Sequence, residues 1–221
     1  MKNIVNTGVF DRNGQDTMSA SGFYTALTLS LFWGLMGTAV TAYMTVKVGY
    51  TPSWWQLLLF GLAIPIGGIV IALTSENPLF SFLGYNMVLI PFGVILGPTL
   101  NQYSPDVIRN AFGLTAAITI FMGFCGTIFP RVFEGMGNAL FLALGGLLIV
   151  RVAQIFIPGL DLGIIDYVAA GIFSLYIGFD MHRASQIPRT IDNAIDVSLE
   201  LFLDIINLFL NILRIMGKSD D

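Results

Sequence analysis

The sequence predicts an all-α membrane protein with seven transmembrane helices. Of its 221 residues, 55% are hydrophobic and only 11% are charged, whereas soluble domains are about 25% charged. Several apolar stretches also reach the roughly 20 residues that a helix needs to cross the hydrocarbon core of a bilayer. The formal net charge is −4, so there is no basic surplus that would predict a nucleic-acid partner. The expected surrounding is a lipid bilayer.

Seven apolar runs are separated by short segments rich in Pro, Gly, Asn and Ser, which favour turns. The predicted spans are 22–43, 55–73, 79–100, 107–129, 136–157, 162–181 and 191–216. In the second span, Pro65 and Gly68 predict a kink or a close helix crossing. In the third, Pro91 and Pro98 predict a bend in the second half of the helix.

The chain is predicted to have one domain, residues 22–216, with a polar arm (1–21) and a short polar tail (217–221). The arm lacks the basic-then-apolar order of a signal peptide. If the N-terminus is cytoplasmic, five basic residues lie inside (Lys2, Arg12, Arg131, Arg183 and Arg189) and three lie outside (Lys47, Arg214 and Lys218). The positive-inside rule therefore favours a cytoplasmic N-terminus and a multi-pass topology, with Arg109 and Arg151 treated as partly within the membrane.

The last predicted helix carries one polar stripe on an otherwise apolar rod. Carboxylates recur every four residues, and amides and a cation continue the line (Asp192, Asp196, Glu200 and Asp204, then Asn207, Asn211 and Arg214). Spacings of three and four fall on one face of a helix. A lipid-facing helix would not carry carboxylates at its middle, so this pattern predicts a helix buried in a bundle.

Asp180 in the sixth span and Asp204 in the last are the strongest functional candidates. An ionised group at membrane depth costs ~2.5 kcal/mol or more, so it is expected to face a cavity or a partner. The short connection makes the two spans antiparallel neighbours, and Asp180 can then meet Asp204, Glu200 or both. Two carboxylates in one low-dielectric site would share a proton, and their oxygens suit calcium. The pair is predicted to be a proton sensor and a cation site, with no resident cofactor.

Other polar residues have structural interpretations. Asp192 and Asp196 match the positive end of the last helix dipole. Glu200 is either part of the acidic site or the partner of Arg109 or Arg151 in a buried ion pair. The amides of that helix, Asn207 and Asn211, are either ligands or interhelical hydrogen-bonding groups. A surface position is predicted for His182, beside Arg183 at a helix end.

Known classes of intramembrane enzyme do not fit, and no enzymatic activity is predicted. The segment ending at Asp180 reads Ile-Gly-Phe-Asp rather than the Gly-x-Gly-Asp of intramembrane aspartyl proteases. The Gly-Phe-Cys-Gly segment around Cys125 lacks a rhomboid serine, and His182 is the only histidine. A retinal protein needs a lysine within its last helix, whereas Lys218 lies past its predicted end.

The last two spans resemble the Bax-inhibitor (transmembrane Bax inhibitor motif) family. Ser174-Leu-Tyr-Ile-Gly-Phe-Asp180 is similar to that family's Ser-Leu-Tyr-Ile-x-Tyr-Asp segment. Leu201-Phe-Leu-Asp-Ile-Ile-Asn-Leu-Phe209 is similar to its Leu-Tyr-Leu-Asp-Phe-Ile-Asn-Leu-Phe signature. A weaker similarity lies in Asn110-Ala-Phe-Gly113, so the specific match covers about the last fifty residues.

The resemblance implies a central C-terminal helix wrapped by the other six, and a pH-sensitive calcium leak in a bacterial cell membrane. It maps the sensor onto Asp180 and Asp204. Bacterial members have an arginine on the second helix that interacts with this pair. Here the second span has none, and Arg109 or Arg151 is the predicted substitute. Glu200 replaces a small polar residue of the pattern.

The alternative functions are a non-conducting membrane interaction protein that modulates stress responses or membrane-protein turnover, and a proton-coupled transporter.

Overall fold

The computed structural model describes residues 17–157 and 163–218, and all regular secondary structure in these ranges is helical. The α-helices are α1 (Ala20–Lys47), α2 (Trp54–Leu58), α3 (Ile64–Thr74), α4 (Pro78–Leu100), α5 (Pro105–Ile128), α6 (Pro130–Phe133), α7 (Gly137–Phe156), α8 (Ile164–Ala184) and α9 (Ile191–Gly217). Each of the seven predicted runs is therefore helical, and its observed bounds lie close to the predicted ones.

Six of these stretches are long and apolar enough to cross a membrane: Ala20–Lys47, Trp54–Thr74, Pro78–Leu100, Pro105–Ile128, Gly137–Gln154 and Ile164–Ala184. Their outward faces carry large apolar side chains such as Phe121, Phe141 and Ile149, as expected for contact with lipid. The remaining long helix, α9, has 27 residues but carries the acidic ladder.

Polar side chains cap the N-termini of several helices. The side chains of Ser19, Asn77 and Ser104 accept hydrogen bonds from backbone N–H groups in the first turns of α1, α4 and α5. Thr190 does the same for α9, because its hydroxyl accepts from the Asn193 N–H at 3.1 Å. Such caps satisfy N–H groups that have no partner within the helix.

The second span contains a π-helical turn, Leu59–Ala63, between α2 and α3. Pro65 follows it and explains it, because proline has no N–H to donate and its ring collides with the carbonyl of the residue four positions earlier, Gly61. The widened turn removes that collision. By contrast, α4 stays helical through Pro91 and Pro98, and the bend predicted there stays a prediction.

The chain divides into two compact units. The first comprises residues 1–103 and 187–202. Its helices α3 and α4 cross at two glycines: a Cβ added to Gly68 would lie 2.5 Å from the Gly84 carbonyl oxygen. Tyr85 of α4 is fully buried and packs edge-on against Phe202, with ring centroids 5.7 Å apart.

The second unit comprises residues 104–186 and 203–221. Gly126 of α5 lies directly against the Gly178 carbonyl of α8. The ring of Phe133, from the short helix α6, covers Gly178 and is itself buried. Small residues therefore bring α5, α6 and α8 into close contact next to Asp180.

The predicted polar arm and tail lie mostly outside the described residues, which exclude 1–16 and 219–221. Helix α1 begins at Ala20, slightly before the predicted boundary. Just ahead of it, the Met18 N–H donates to the Arg189 carbonyl at 2.8 Å, so this part of the arm is fixed to the segment that leads into α9.

The Gly68–Gly84 crossing is testable with two neighbouring alanine substitutions. We expect Gly68→Ala to lower the free energy of unfolding by about 1–3 kcal/mol, because its methyl group would overpack the crossing. Gly67→Ala is the matched control, since its Cβ would meet only Met87 Cε at 3.8 Å and alanine favours a helix over glycine. Thermal unfolding in detergent measures both. Equal melting temperatures would contradict the packing account.

Candidate proton and cation site

Two buried aspartates are brought together by the last two long helices. Asp180 lies near the end of α8 and Asp204 lies in the part of α9 that belongs to the second unit. Only 4% of Asp180 and 7% of Asp204 are exposed. Close packing lies two residues away, where Gly178 contacts Gly126 and the ring of Phe133.

The carboxyl groups of Asp180 and Asp204 lie within hydrogen-bonding reach of each other. Two ionised carboxylates can only accept hydrogen bonds, so a hydrogen bond between them requires a proton on one of them. A shared proton would also remove the repulsion that two negative charges have in a buried site. The arrangement therefore suits a singly protonated pair.

Arg183 supplies the positive charge at this site. Its Nη2 donates to Asp180 Oδ1 at 3.0 Å, and its side chain is 17% exposed. The guanidinium carbon lies 5.6 Å from the centre of the Phe179 ring, a cation–π contact. That ring in turn packs against Gly137 at the start of α7. The arginine is thus held by an ion pair on one side and an aromatic face on the other.

The charges of the site cancel when the pair holds one proton. The singly protonated pair carries −1 and Arg183 carries +1, which suits a buried position. The ring of Tyr176, one turn before Asp180 on α8, lies near enough to interact electrostatically with Asp180, Asp204 and Arg183. Loss or gain of one proton changes the net charge of these three side chains by one.

A second polar cluster lies at the opposite end of α8 and was not predicted from the sequence. Asp166 is 2% exposed, and its Oδ1 accepts from Arg151 Nη2 at 2.7 Å and from Arg214 Nε at 2.9 Å. Lys218 Nζ lies 3.4 Å from Asp166 Oδ2. The side-chain oxygen of Asn211 accepts from both arginines. The sequence did carry one signal for this cluster, because Asp166 is an acidic residue in the first turn of an apolar span.

The predicted auxiliary residues have other surroundings. Arg109 pairs with Asp106 within the first turns of α5, where both side chains are 76% exposed. Arg151 pairs with Asp166, as described above. Asn207 donates to the Leu203 carbonyl of its own helix at 2.8 Å. Glu200 lies on the part of α9 that belongs to the first unit. The cation beside Asp180 is Arg183, which the sequence analysis had assigned to a cytoplasmic helix end.

The surface position predicted for His182 is wrong, because only 7% of the residue is exposed. The last turn of α8 remains packed, and the side chain of Ser185 donates to the His182 carbonyl at 2.6 Å. At the start of α9, Asp192 and Asp196 are fully buried. Asp192 Oδ1 accepts from the Ser81 hydroxyl at 2.6 Å, while its place in the first turn agrees with the dipole interpretation.

The chemistry open to the Asp180/Asp204 pair is proton exchange and weak binding of a hard cation. Carboxylate oxygens are the ligands that calcium takes in proteins. Among residues 17–157 and 163–218, no three His, Cys, Asp or Glu side chains are grouped so that they could hold a metal ion. The pair can therefore interact with a passing ion through its own carboxylates.

These features define a class: a helical membrane protein with a buried pair of aspartates on its last two long helices. The sequence profile of the family described as "Inhibitor of apoptosis-promoting Bax1" matches residues 21–221. The chain therefore belongs to this Bax-inhibitor family, which confirms the resemblance seen in the sequence and extends it from the last fifty residues to nearly the whole chain.

Curated bacterial relatives are similar over most of their length. The inner membrane protein YbhL of Escherichia coli K12 is 25% identical over 229 aligned residues, covering 95% of this chain and 98% of the relative. An uncharacterized membrane protein of Vibrio cholerae is 29% identical, covering 96% and 97%. An uncharacterized protein of Borreliella burgdorferi is 28% identical, covering 84% and 87%. Together with the six apolar spans, these names support a membrane protein.

Arg183 is predicted to contribute more to the stability of the fold than the exposed Arg109 does. We expect Arg183→Gln to lower the free energy of unfolding by about 1–3 kcal/mol, because it removes a charged hydrogen bond to a buried carboxyl group. Arg109→Gln removes an ion pair that is 76% exposed and should cost under about 1 kcal/mol. Chemical or thermal unfolding in detergent measures both. Equal losses would contradict the role given to Arg183.

Proposed function

We propose that this protein is a pH-sensitive calcium (cation) leak channel gated by the protonation of Asp180 and Asp204. The observation that carries the proposal is the close approach of these two buried carboxyl groups, because a hydrogen bond between them exists only while the pair holds a proton. A proton-dependent contact between two spans couples pH to the packing of the helices that carry it.

Binding of a second proton to the pair opens the channel in this proposal. In the singly protonated state, Arg183 balances the remaining negative charge of the pair. A second proton on Asp180 removes that charge and weakens the ion pair with Arg183, which changes the charge balance at the end of α8. This state is relieved when the end of α8 moves away from α9 and admits water. Acidification therefore loosens the contact between the two helices and raises the cation flux.

Calcium is the transported ion in this account and the carboxylates are its transient ligands. A leak requires sites that bind weakly enough to release the ion. Two carboxylates suit this purpose, since the tight sites of calcium-binding loops take six to eight oxygens. Protons and calcium ions compete for the same oxygens, so the pair senses both.

The proposed topology has seven spans, with α9 as the central helix and the N-terminus in the bacterial cytoplasm. Support comes from the distribution of basic residues and from the burial of α9, since most of its residues between Asp192 and Leu213 are buried. A central position also explains how a helix can carry an acidic ladder within a membrane, because its carboxylates would not face lipid.

Calcium flux tests the function directly. Purified protein is reconstituted in vesicles, and calcium uptake is followed with an enclosed fluorescent indicator between about pH 6 and pH 8. We expect the flux to rise as the pH falls. A double variant, Asp180→Asn with Asp204→Asn, should lose the pH dependence because an amide does not titrate in this range.

Asp106→Asn is the matched control, since it replaces an exposed carboxylate of the same unit and should keep the pH-dependent flux of the wild type. Identical flux in the wild type and the double variant would contradict the proposal. A folded wild type without flux at any pH would favour the alternative, a non-conducting interaction protein. Substrate-dependent proton uptake would instead identify a proton-coupled transporter.

Cysteine accessibility tests the topology. In a Cys125→Ser background, an impermeant thiol reagent added outside intact cells should label Ser53→Cys and Lys218→Cys but not Glu76→Cys. Ser53 and Glu76 lie in the turns before and after the second span, whereas Lys218 follows α9. If Lys218→Cys is protected and Ser53→Cys is labelled, α9 does not cross the membrane and the seven-span topology is wrong.

A further inference from the structure

Among residues 17–157 and 163–218, the side chains that contact Asp166 carry more positive charge than this carboxylate carries negative charge. Two guanidinium groups, from Arg151 and Arg214, share a single carboxylate oxygen, Asp166 Oδ1, at 2.7 Å and 2.9 Å. The ammonium group of Lys218 is also close to this carboxylate. Because one carboxylate neutralises only one of the two arginines, this pair of arginines retains a positive charge that is available to an anion.

The two arginines are held side by side before any ligand binds. Both donate to the Asn211 side-chain oxygen, Arg151 at 2.8 Å and Arg214 at 2.7 Å, and Arg151 also contacts the Gln154 side chain at 3.3 Å. Shared acceptors fix the guanidinium planes, so little side-chain entropy remains to be lost on binding. A fixed pair of guanidinium groups is suited to the oxygens of a phosphate.

The carboxylate of this cluster is buried, whereas its two guanidinium groups are partly exposed. The side chain of Asp166 is 3% exposed, whereas those of Arg151 and Arg214 are 31% and 35% exposed. The negative charge is therefore buried behind the cations. The groups that remain accessible to a ligand are guanidinium N–H donors.

The depth of the cluster matches lipid headgroups. Arg151, Asp166 and Arg214 each lie within about two turns of a helix end, where α7 and α9 finish and α8 begins. Nearby apolar side chains point outward: Phe156 is 77% exposed, Ile164 68% and Tyr167 63%. Such side chains are suited to acyl chains, and tyrosine is favoured at the boundary between headgroups and hydrocarbon. Acyl contacts of this kind favour a lipid phosphate over a free phosphate ion.

We propose that Arg151 and Arg214 bind the phosphate group of an anionic phospholipid, of the phosphatidylglycerol type, at the membrane surface where α8 begins. Basic pockets between transmembrane helices are suited to such headgroups. The site lies about 21 Å along α8 from Asp180, given a rise of about 1.5 Å per residue. It therefore goes beyond the proposed leak and does not depend on the acidic pair.

Lipid-dependent melting of the purified full-length protein in detergent tests this site. Phosphatidylglycerol, phosphatidylcholine and inorganic phosphate are added separately, since a ligand that binds the folded state raises the melting temperature. We expect phosphatidylglycerol to raise it by at least about 2 °C more than phosphatidylcholine. Equal effects of the two lipids would overturn the proposal, and an equal effect of inorganic phosphate would assign the site to a free anion.

Variants separate a lipid site from a purely structural ion pair. Arg214→Gln should lose the preference for phosphatidylglycerol, while Arg214→Lys should keep part of it and Arg109→Gln should keep all of it. Asp166→Asn removes a carboxylate that contacts both arginines, so its response to phosphatidylglycerol should be larger than that of the wild type, even if its own melting temperature is lower. A structural ion pair predicts no larger response. An unchanged or smaller response in Asp166→Asn would overturn the proposal even if Arg214→Gln did not fold.

Discussion

The pairing of Asp180 with Asp204 is the central constraint of the second unit, because both carboxyl groups are buried and lie close together. A buried carboxylate needs a compensating partner. Asp180 has Arg183 on its own helix and Asp204 on the neighbouring one. Glycines at 126 and 178 and the ring of Phe133 close one side of α8, and Arg183 with Phe179 closes its end.

The two ends of α8 handle buried charge in different ways. At its start, the carboxylate of Asp166 is compensated by permanent cations, because arginine stays protonated at all physiological pH values. At its end, Asp180 is compensated partly by Arg183 and partly by a proton that can leave. In the proposed leak, the first end is therefore fixed with respect to pH and the second responds to it. That difference is the basis of the proposed gate.

The sequence predicted the helices well because membrane spans are set by local apolar length. It also brought Asp180 and Asp204 together, since a short connection makes consecutive spans neighbours. It did not predict the role of Arg183, although an ion pair three residues apart on one helix was visible in principle. The residue was interpreted as a loop charge because it lies at the end of an apolar run, where a cation is normally solvated.

The Asp166 cluster escaped prediction for a different reason. Its members come from three helices, so no spacing rule joins Arg151 and Asp166 to the polar stripe of α9 that carries Asn211 and Arg214. The burial of His182 was likewise missed, because the contacts that cover a helix end come from elsewhere in the fold. Local sequence patterns predict which face of a single helix is buried. Contacts between side chains on different helices can be identified only from the three-dimensional structure.

The most direct test of the central claim is to detect the shared proton by infrared spectroscopy. A difference spectrum of the wild type minus the double variant Asp180→Asn, Asp204→Asn, recorded near neutral pH, separates the two carboxyl groups from every other acid of the chain. The account predicts the bands of one protonated carboxylic acid and one carboxylate. A difference spectrum containing only carboxylate bands would show that both aspartates are ionised, and would contradict it.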